Sequence, residues 1–198
     1  HMIVEARGEG RVEEAVYAGV DGNWRPLPGT ERTVKVDTVC IGYGFVSSTE
    51  LTQLAGCEHR YDLSRGGYMP VRTENMETTL PGVYSVGDCS GVAGSKVAIE
   101  EGRIAGVSAA CSMGYIPAAH AEKKKEFFRS NLDKFNRLRE VLDEISLPRA
   151  GLFELPGDDT IICRCEEITM GEVKEAMAAG AVTPKDIKRI TRTGMGPC

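Results

Sequence analysis

Along the first third of the chain, apolar and polar positions alternate in short segments. "RVEEAVYAGV" is followed by "DGNW" and then by "TERTVKVDTVCIGYG", with Gly, Asp, Asn and Pro between them. A two-residue period bounded by turn formers predicts strands, so residues 3–36 are expected to form a β-meander with Asp21-Gly22 as a hairpin signal. "VDTVCIGYG" is apolar without alternation and ends in glycines, the pattern of a strand covered on both faces in a parallel sheet. Its glycines do not complete G-x-G-x-x-G, because Ser47 stands where the third glycine belongs. "STELTQLAG" predicts a short helix capped by Ser48 or Thr49, and a polar loop leads from it to a second buried strand, Val83 to Val86, that runs into Gly87-Asp88. "GSKVAIEEGRIAGVSAACSMG" then reads as a helix rich in small residues. Gly94, Gly102 and Gly106 each weaken a helix interior by about 1 kcal/mol, which predicts a close approach by a sheet or a cofactor.

Beyond Pro117 the period changes to that of a helix. Phe128, Leu132, Phe135, Leu138, Leu142 and Ile145 lie on one stripe of a long amphipathic segment that Pro148 ends, and "PRAGLFELPGDD" reads as a linker. Two sharply marked helices come next. Thr169 with Glu172 forms a capping box before "EVKEAMAAG", which closes on Gly180, and Thr183-Pro184-Lys185-Asp186 starts the second with proline at its first helical position. The stripe on the long helix is read as packing rather than as a cofactor box. No internal repeat is visible.

Composition narrows this picture without redirecting it. At 198 residues, with 41% hydrophobic and 27% charged positions, the chain can bury a core. A net charge of −5 offers no field for a polyphosphate, and Lys123 to Lys125 lie between Glu122 and Glu126 on a helix surface, so nucleic acid is not expected as a partner. No stretch approaches the ~20 apolar residues of a membrane span, and no signal segment opens the chain; a soluble, cytoplasmic protein is expected, with no membrane partner. His1-Met2 reads as a remnant of tag removal, so the chain is expected to be a piece of something longer.

Seven cysteines make an odd set that disfavours a disulfide framework. Cys40, Cys57 and Cys111 lie in apolar or small-residue stretches and are read as buried. Cys163 and Cys165 are different: they are one residue apart, and Cys198 stands on the far side of two short helices at the end of "RTGMGPC". Gly194 and Gly196 let that loop aim backbone N–H groups inward, where they stabilise sulfur anions. Arg164, Lys188, Arg189 and Arg192 surround the same loops, which suits an anionic thiolate centre. Spacing alone leaves zinc and an iron–sulfur cluster both open.

The stretch "TIICRCEEITMGEVKEAMAAGA…DIKRITRTGMGPC" resembles the bacterioferritin-associated ferredoxin (BFD-like) type of [2Fe-2S] domain over roughly the last 45 residues. The resemblance implies Cys163, Cys165 and Cys198 as iron ligands, with a fourth cysteine expected beyond the third. A second resemblance is independent. "VDTVCIGYGFVSSTELTQLAG" and "TTLPGVYSVGDCSG…AIEEGRIAG" are similar to the C-terminal section of two-dinucleotide-binding-domain flavoproteins. From "GD" alone Asp88 would be a turn residue; the resemblance implies that it accepts a hydrogen bond from the ribityl chain of FAD, with Gly87 allowing the approach.

These resemblances imply an α/β fold: a partial doubly wound flavin-nucleotide-binding domain with a β-meander over residues 1–116, a helical linker over 117–150, and a small α-helical BFD-like domain over 151–198. The nucleotide fingerprints of such proteins are absent from this sequence, which makes the chain the expected C-terminal portion of a larger flavoprotein whose parent has room for NAD(P). Flavin domain, helical linker and C-x-C domain in that order resemble subunits of opine oxidase, hydrogen cyanide synthase and heteromeric sarcosine or proline dehydrogenase-like amine oxidoreductases. That resemblance implies hydride transfer from a substrate C–N bond to flavin, single electrons through a [2Fe-2S] centre, an FAD-containing partner subunit, and a fragment inactive by itself, with a homo-oligomer left open. The competing expectation is a non-enzymatic metal-binding or subunit-assembly module. A thiol-disulfide reductase is disfavoured because no C-x-x-C pair occurs, and His59 and His120, in polar segments, suggest no triad.

Overall fold

The computed structural model describes residues 1–196. It resolves into two compact units, residues 1–41 with 148–198, and residues 42–147. No helix among the described residues is long and apolar enough to cross a membrane.

In the first unit, β1 (Met2–Arg7), β2 (Glu14–Ala18) and β3 (Arg32–Lys35) form an antiparallel meander in the order β1-β2-β3, as the alternation predicts. Ala15, Val16 and Ala18 of the central strand are buried. Between β2 and β3 the Asp21 carboxylate accepts from the N–H groups of Asn23 (2.8 Å) and Arg25 (2.9 Å). That turn is the local effect of the hairpin signal, and it leaves Trp24 at φ 63°.

The stretch read as a linker is folded. Residues Ala150–Glu154 form α4, which docks on the same turn: Gly151 N–H donates to the Asn23 carbonyl (2.8 Å), and Arg25 grips Glu154 through two bonds of 2.7 and 2.8 Å. Glycine is required at 151, because a Cβ there would overlap the Trp24 carbonyl. The chain then pairs β6 (Ile161–Cys163) with β7 (Ile168–Thr169) and enters α5 (Met170–Ala178) and α6 (Pro184–Thr191). Both predicted capping boxes are present, Thr169 with Glu172 and Thr183 with Asp186.

The run "VDTVCIGYG" departs from expectation. Val36 N–H still bonds to Glu13 O (2.9 Å), but residues 37–46 belong to no ladder among the described residues, and Cys40 is exposed rather than buried. An apolar strand is held in a parallel sheet by neighbours on both edges; no described segment supplies them.

In the second unit, β4 (His59–Asp62) and β5 (Gly67–Pro70) make an antiparallel hairpin after the short helix α1 (Glu50–Leu54). Thr49 is the N-cap of α1, yet its side chain bonds to Gln53 rather than to a backbone N–H. The expected strand Val83 to Val86 amounts to a single bridge, Glu77 with Tyr84, and all ladders among the described residues are antiparallel. Helix α2 (Ser95–Ser112) packs on α3 (Ala118–Ser146), and the core gathers Met76, Val97, Ile104, Ala105 and Leu132 with Phe128 and Phe135 at its margin. Phe128, Leu132 and Phe135 of the predicted α3 stripe therefore pack; Leu142 and Ile145 are exposed, and the side chain of Leu138 lies outside the described part. No sheet approaches Gly94, Gly102 or Gly106, since a Cβ at each would meet no protein atom within 4 Å among the described residues.

Candidate functional site

Cys163 ends β6 and is buried. Its Sγ accepts the Gly194 N–H at 3.3 Å, across the whole α5–α6 hairpin. The turn after α6 brings the two together. There Arg192 at φ 69° and Gly194 at φ 73° are both left-handed, folding the loop back onto the cysteine pair. The thiol of Cys163 is held below its ordinary pKa, first by the Gly194 N–H and then by the Glu166 N–H, against the opposing effect of burial. Donors aimed at sulfur favour the thiolate, the form that ligates metal.

Cys165 is half-buried beneath the same loop: a Cβ on Gly196 would stand 3.3 Å from its Sγ and closer still to its Cβ. The glycines expected to matter at 194 and 196 thus touch one cysteine each. Cys198 lies outside the described residues, and among those described no group of three His, Cys, Asp or Glu side chains is placed to hold a metal ion. The basic residues are less available than the sequence suggests. Arg192 donates to Glu166 at 2.9 Å, tying the glycine loop to the cysteine loop, and Arg189 lies 3.9 Å from Asp186.

The Gly87-Asp88 turn lies in the other unit. Val86 is extended, Gly87 is buried at φ 70°, and a single 3-10 turn, Gly87–Ser90, carries Asp88 out to an exposed position. A Cβ on Gly87 would stand 3.1 Å from the Ala98 Cβ on α2, so glycine is needed here for both conformation and space. One carboxylate oxygen of Asp88 accepts the Ala93 N–H at 3.3 Å, which orients the side chain while leaving its other oxygen without a protein partner among the bonds described. Gly87 N–H donates to Oε2 of Glu101 at 2.7 Å. Neither Glu101 nor its partner Arg72 was singled out in the sequence. A signal existed: Val97, Glu101, Ile104, Ala105 and Ser108 recur at helical spacing, a carboxylate in the middle of an apolar face.

The geometry thus consists of an extended segment that runs through a buried glycine turn into a helix, and of a glycine loop folded over a cysteine pair with the Gly194 N–H on the Cys163 sulfur. Residues 2–114 match the pyridine nucleotide-disulphide oxidoreductase family, and the chain belongs to it. Residues 161–198 match the BFD-like [2Fe-2S] binding domain. The cofactors that go with these two regions are FAD and a [2Fe-2S] cluster.

Among individual proteins, the chain is similar to the hydrogen cyanide synthase subunit HcnB of Pseudomonas aeruginosa, 34% identical over 197 residues that cover 99% of this chain and 42% of that protein. It is 33% identical over 170 residues to the A subunit of opine oxidase from Rhizobium meliloti, covering 86% of this chain and 32% of that protein. With the A subunit of opine oxidase from Agrobacterium tumefaciens it shares 32% identity over 168 residues, 85% of this chain and 33% of the relative. The chain therefore spans less than half the length of these curated relatives. No solved structure matches it.

Proposed function

We propose that the chain is the electron-transfer portion of one subunit in a flavin and iron–sulfur oxidoreductase that acts on amines or amino acids, and that it is inactive alone. In this reading Gly87 and Asp88 face FAD, while Cys163, Cys165 and Cys198 ligate iron. The Gly194 N–H on the Cys163 sulfur is the observation that carries it, because a backbone donor aimed at sulfur has little use for a neutral, inert thiol and a large one for a cluster thiolate. FAD accepts electrons in pairs and a [2Fe-2S] cluster passes them singly, which is the chemistry the pair supplies when bound.

The residues of the chain do the holding. Arg192 and Glu166 pin the glycine loop, Gly194 presents its N–H to the Cys163 sulfur, and Gly196 keeps a side chain away from Cys165. Gly87 lets the backbone approach a ligand, and Asp88 keeps one carboxylate oxygen for a hydroxyl. The relatives are named as subunits, which supports a heteromer in which an FAD-containing partner oxidises the substrate.

The test is metal and spectrum. The complete protein, purified without oxygen, is expected to absorb between about 400 and 550 nm with iron and sulfide in equal amounts, and Cys163→Ser to lose both. Zinc in place of iron and sulfide would replace this reading with that of a structural metal-binding or assembly module.

A further inference from the structure

Glu101 sits on the buried face of α2 at 6% exposure, and three donors converge on its carboxylate. Arg72 supplies two of them, NH2 to Oε1 at 2.6 Å and NH1 to Oε2 at 3.1 Å; Gly87 N–H supplies the third, to Oε2 at 2.7 Å. The same NH1 of Arg72 also donates to the Ser85 carbonyl at 2.9 Å. The pair therefore grips the backbone on both sides of Val86, at the carbonyl before it and the amide after it, and that amide belongs to the residue preceding Asp88. A buried ion pair is weak evidence for stability, because desolvation of both charges offsets most of their attraction. Its value here is geometric: a bidentate pair with fixed lone pairs can hold a left-handed glycine turn in one conformation, as apolar packing cannot.

Resting on the flavin reading above, we infer that Arg72 and Glu101 are positioning residues for the FAD contact of this family, holding the Gly87 backbone so that Asp88 presents its free carboxylate oxygen to the ligand. Neither touches the ligand. They act through Gly87 N–H and Ser85 C=O, and the specificity of the arrangement lies in the orientation of one turn rather than in the stability of the unit.

The experiment separates orientation from stability in the complete protein, stripped of flavin and titrated with FAD while flavin fluorescence and thermal unfolding are followed. Glu101→Leu leaves the partly buried Arg72 uncompensated and lowers both melting temperature and affinity. Arg72→Leu with Glu101→Leu removes both charges and recovers part of the melting temperature lost in Glu101→Leu, yet FAD affinity remains weaker by about tenfold or more, because Gly87 N–H has lost its acceptor. Recovery of affinity together with melting temperature overturns the inference. The isosteric Glu101→Gln guards against variants that fail to fold: it is expected to weaken FAD by about fivefold and to change the visible flavin spectrum, and an unchanged affinity in it also overturns the inference. Asp88→Ala identifies the level at which a failure occurs. If it binds FAD like the parent, or if the parent takes up no FAD, the flavin reading falls and the positioning role with it. If Asp88→Ala weakens binding while the double leucine variant does not, the positioning role alone is overturned.

Discussion

The cysteine module at the end of the chain and the flavin-like unit in its middle are organised by different kinds of contact. In the module each helix begins with a reciprocal cap that spans three residues, Thr169 with Glu172 and Thr183 with Asp186, and the loop after α6 returns by two left-handed residues. In residues 42–147 no described α-helix has a side-chain hydrogen bond from its N-cap residue to the first turn. That unit is held across distance instead: Arg72 to Glu101 over 29 residues, Arg139 to the Val92 carbonyl over 47, Lys125 to Asn75 over 50. The comparison teaches that the helix starts of the module are written in consecutive residues, whereas the Gly87 turn is set by side chains remote in sequence. It also explains why the middle unit leaves Phe45, Val46, Leu51 and Leu54 largely exposed, for elements organised by long-range partners keep apolar faces where the described chain supplies none.

The contrast can be broken most strongly in the core of the middle unit. Leu132→Ala removes the side chain through which α3 meets Val97, Ile104 and Met76, and is expected to cost about 2–5 kcal/mol, read as a lower midpoint in denaturant unfolding. A loss below about 0.5 kcal/mol, the size expected of a surface change, would show that the long-range core does not hold that unit.

A smaller effect is expected where α4 meets the meander. Gly151→Ala places a methyl against the Trp24 backbone and should cost about 1–3 kcal/mol. Trp24 is the single tryptophan of the chain, so displacement of α4 is expected to shift its emission to the red, and unchanged emission would mean that the helix does not rest on that turn.

The smallest effects should come from the caps. Thr183→Ala is expected to lower stability by about 1 kcal/mol in chemical unfolding. The Asp186 carboxyl is held below its usual pKa, chiefly by the Thr183 hydroxyl and then by the Thr183 and Val182 N–H groups. A depressed folded value means that its contribution is complete above the ordinary aspartate value of about 3.9 and fades as pH falls through the lower folded value. Helicity followed by circular dichroism should therefore lose part of its acid dependence in Asp186→Asn; an identical acid profile would remove the cap from the account.

Where local chemistry decides, sequence and structure agree. The meander comes from a two-residue period, α5 and α6 from their capping residues and from proline at the first turn of α6, and α3 from a helical stripe that runs between Pro117 and Pro148. The left-handed turn of the glycine loop is local in the same way, but the bond from Gly194 N–H to the Cys163 sulfur spans 31 residues and is made only by the α5–α6 hairpin. What the order of residues did not reveal is of another kind. "VDTVCIGYG" and "GVYSVGD" have the composition of buried strands, but a strand is defined by neighbours, and composition does not say whether they are there. The glycines of α2 meet no protein atom among the described residues, while Gly151, in what read as linker, lies against the Trp24 backbone. Glu101 and Arg72 showed only as a charge on an apolar face and a residue in a polar loop. Only folding brought them to the two sides of Val86, because hydrogen bonds between distant segments depend on where the whole unit places them, and caps and periods express only what neighbours along the chain can do to one another.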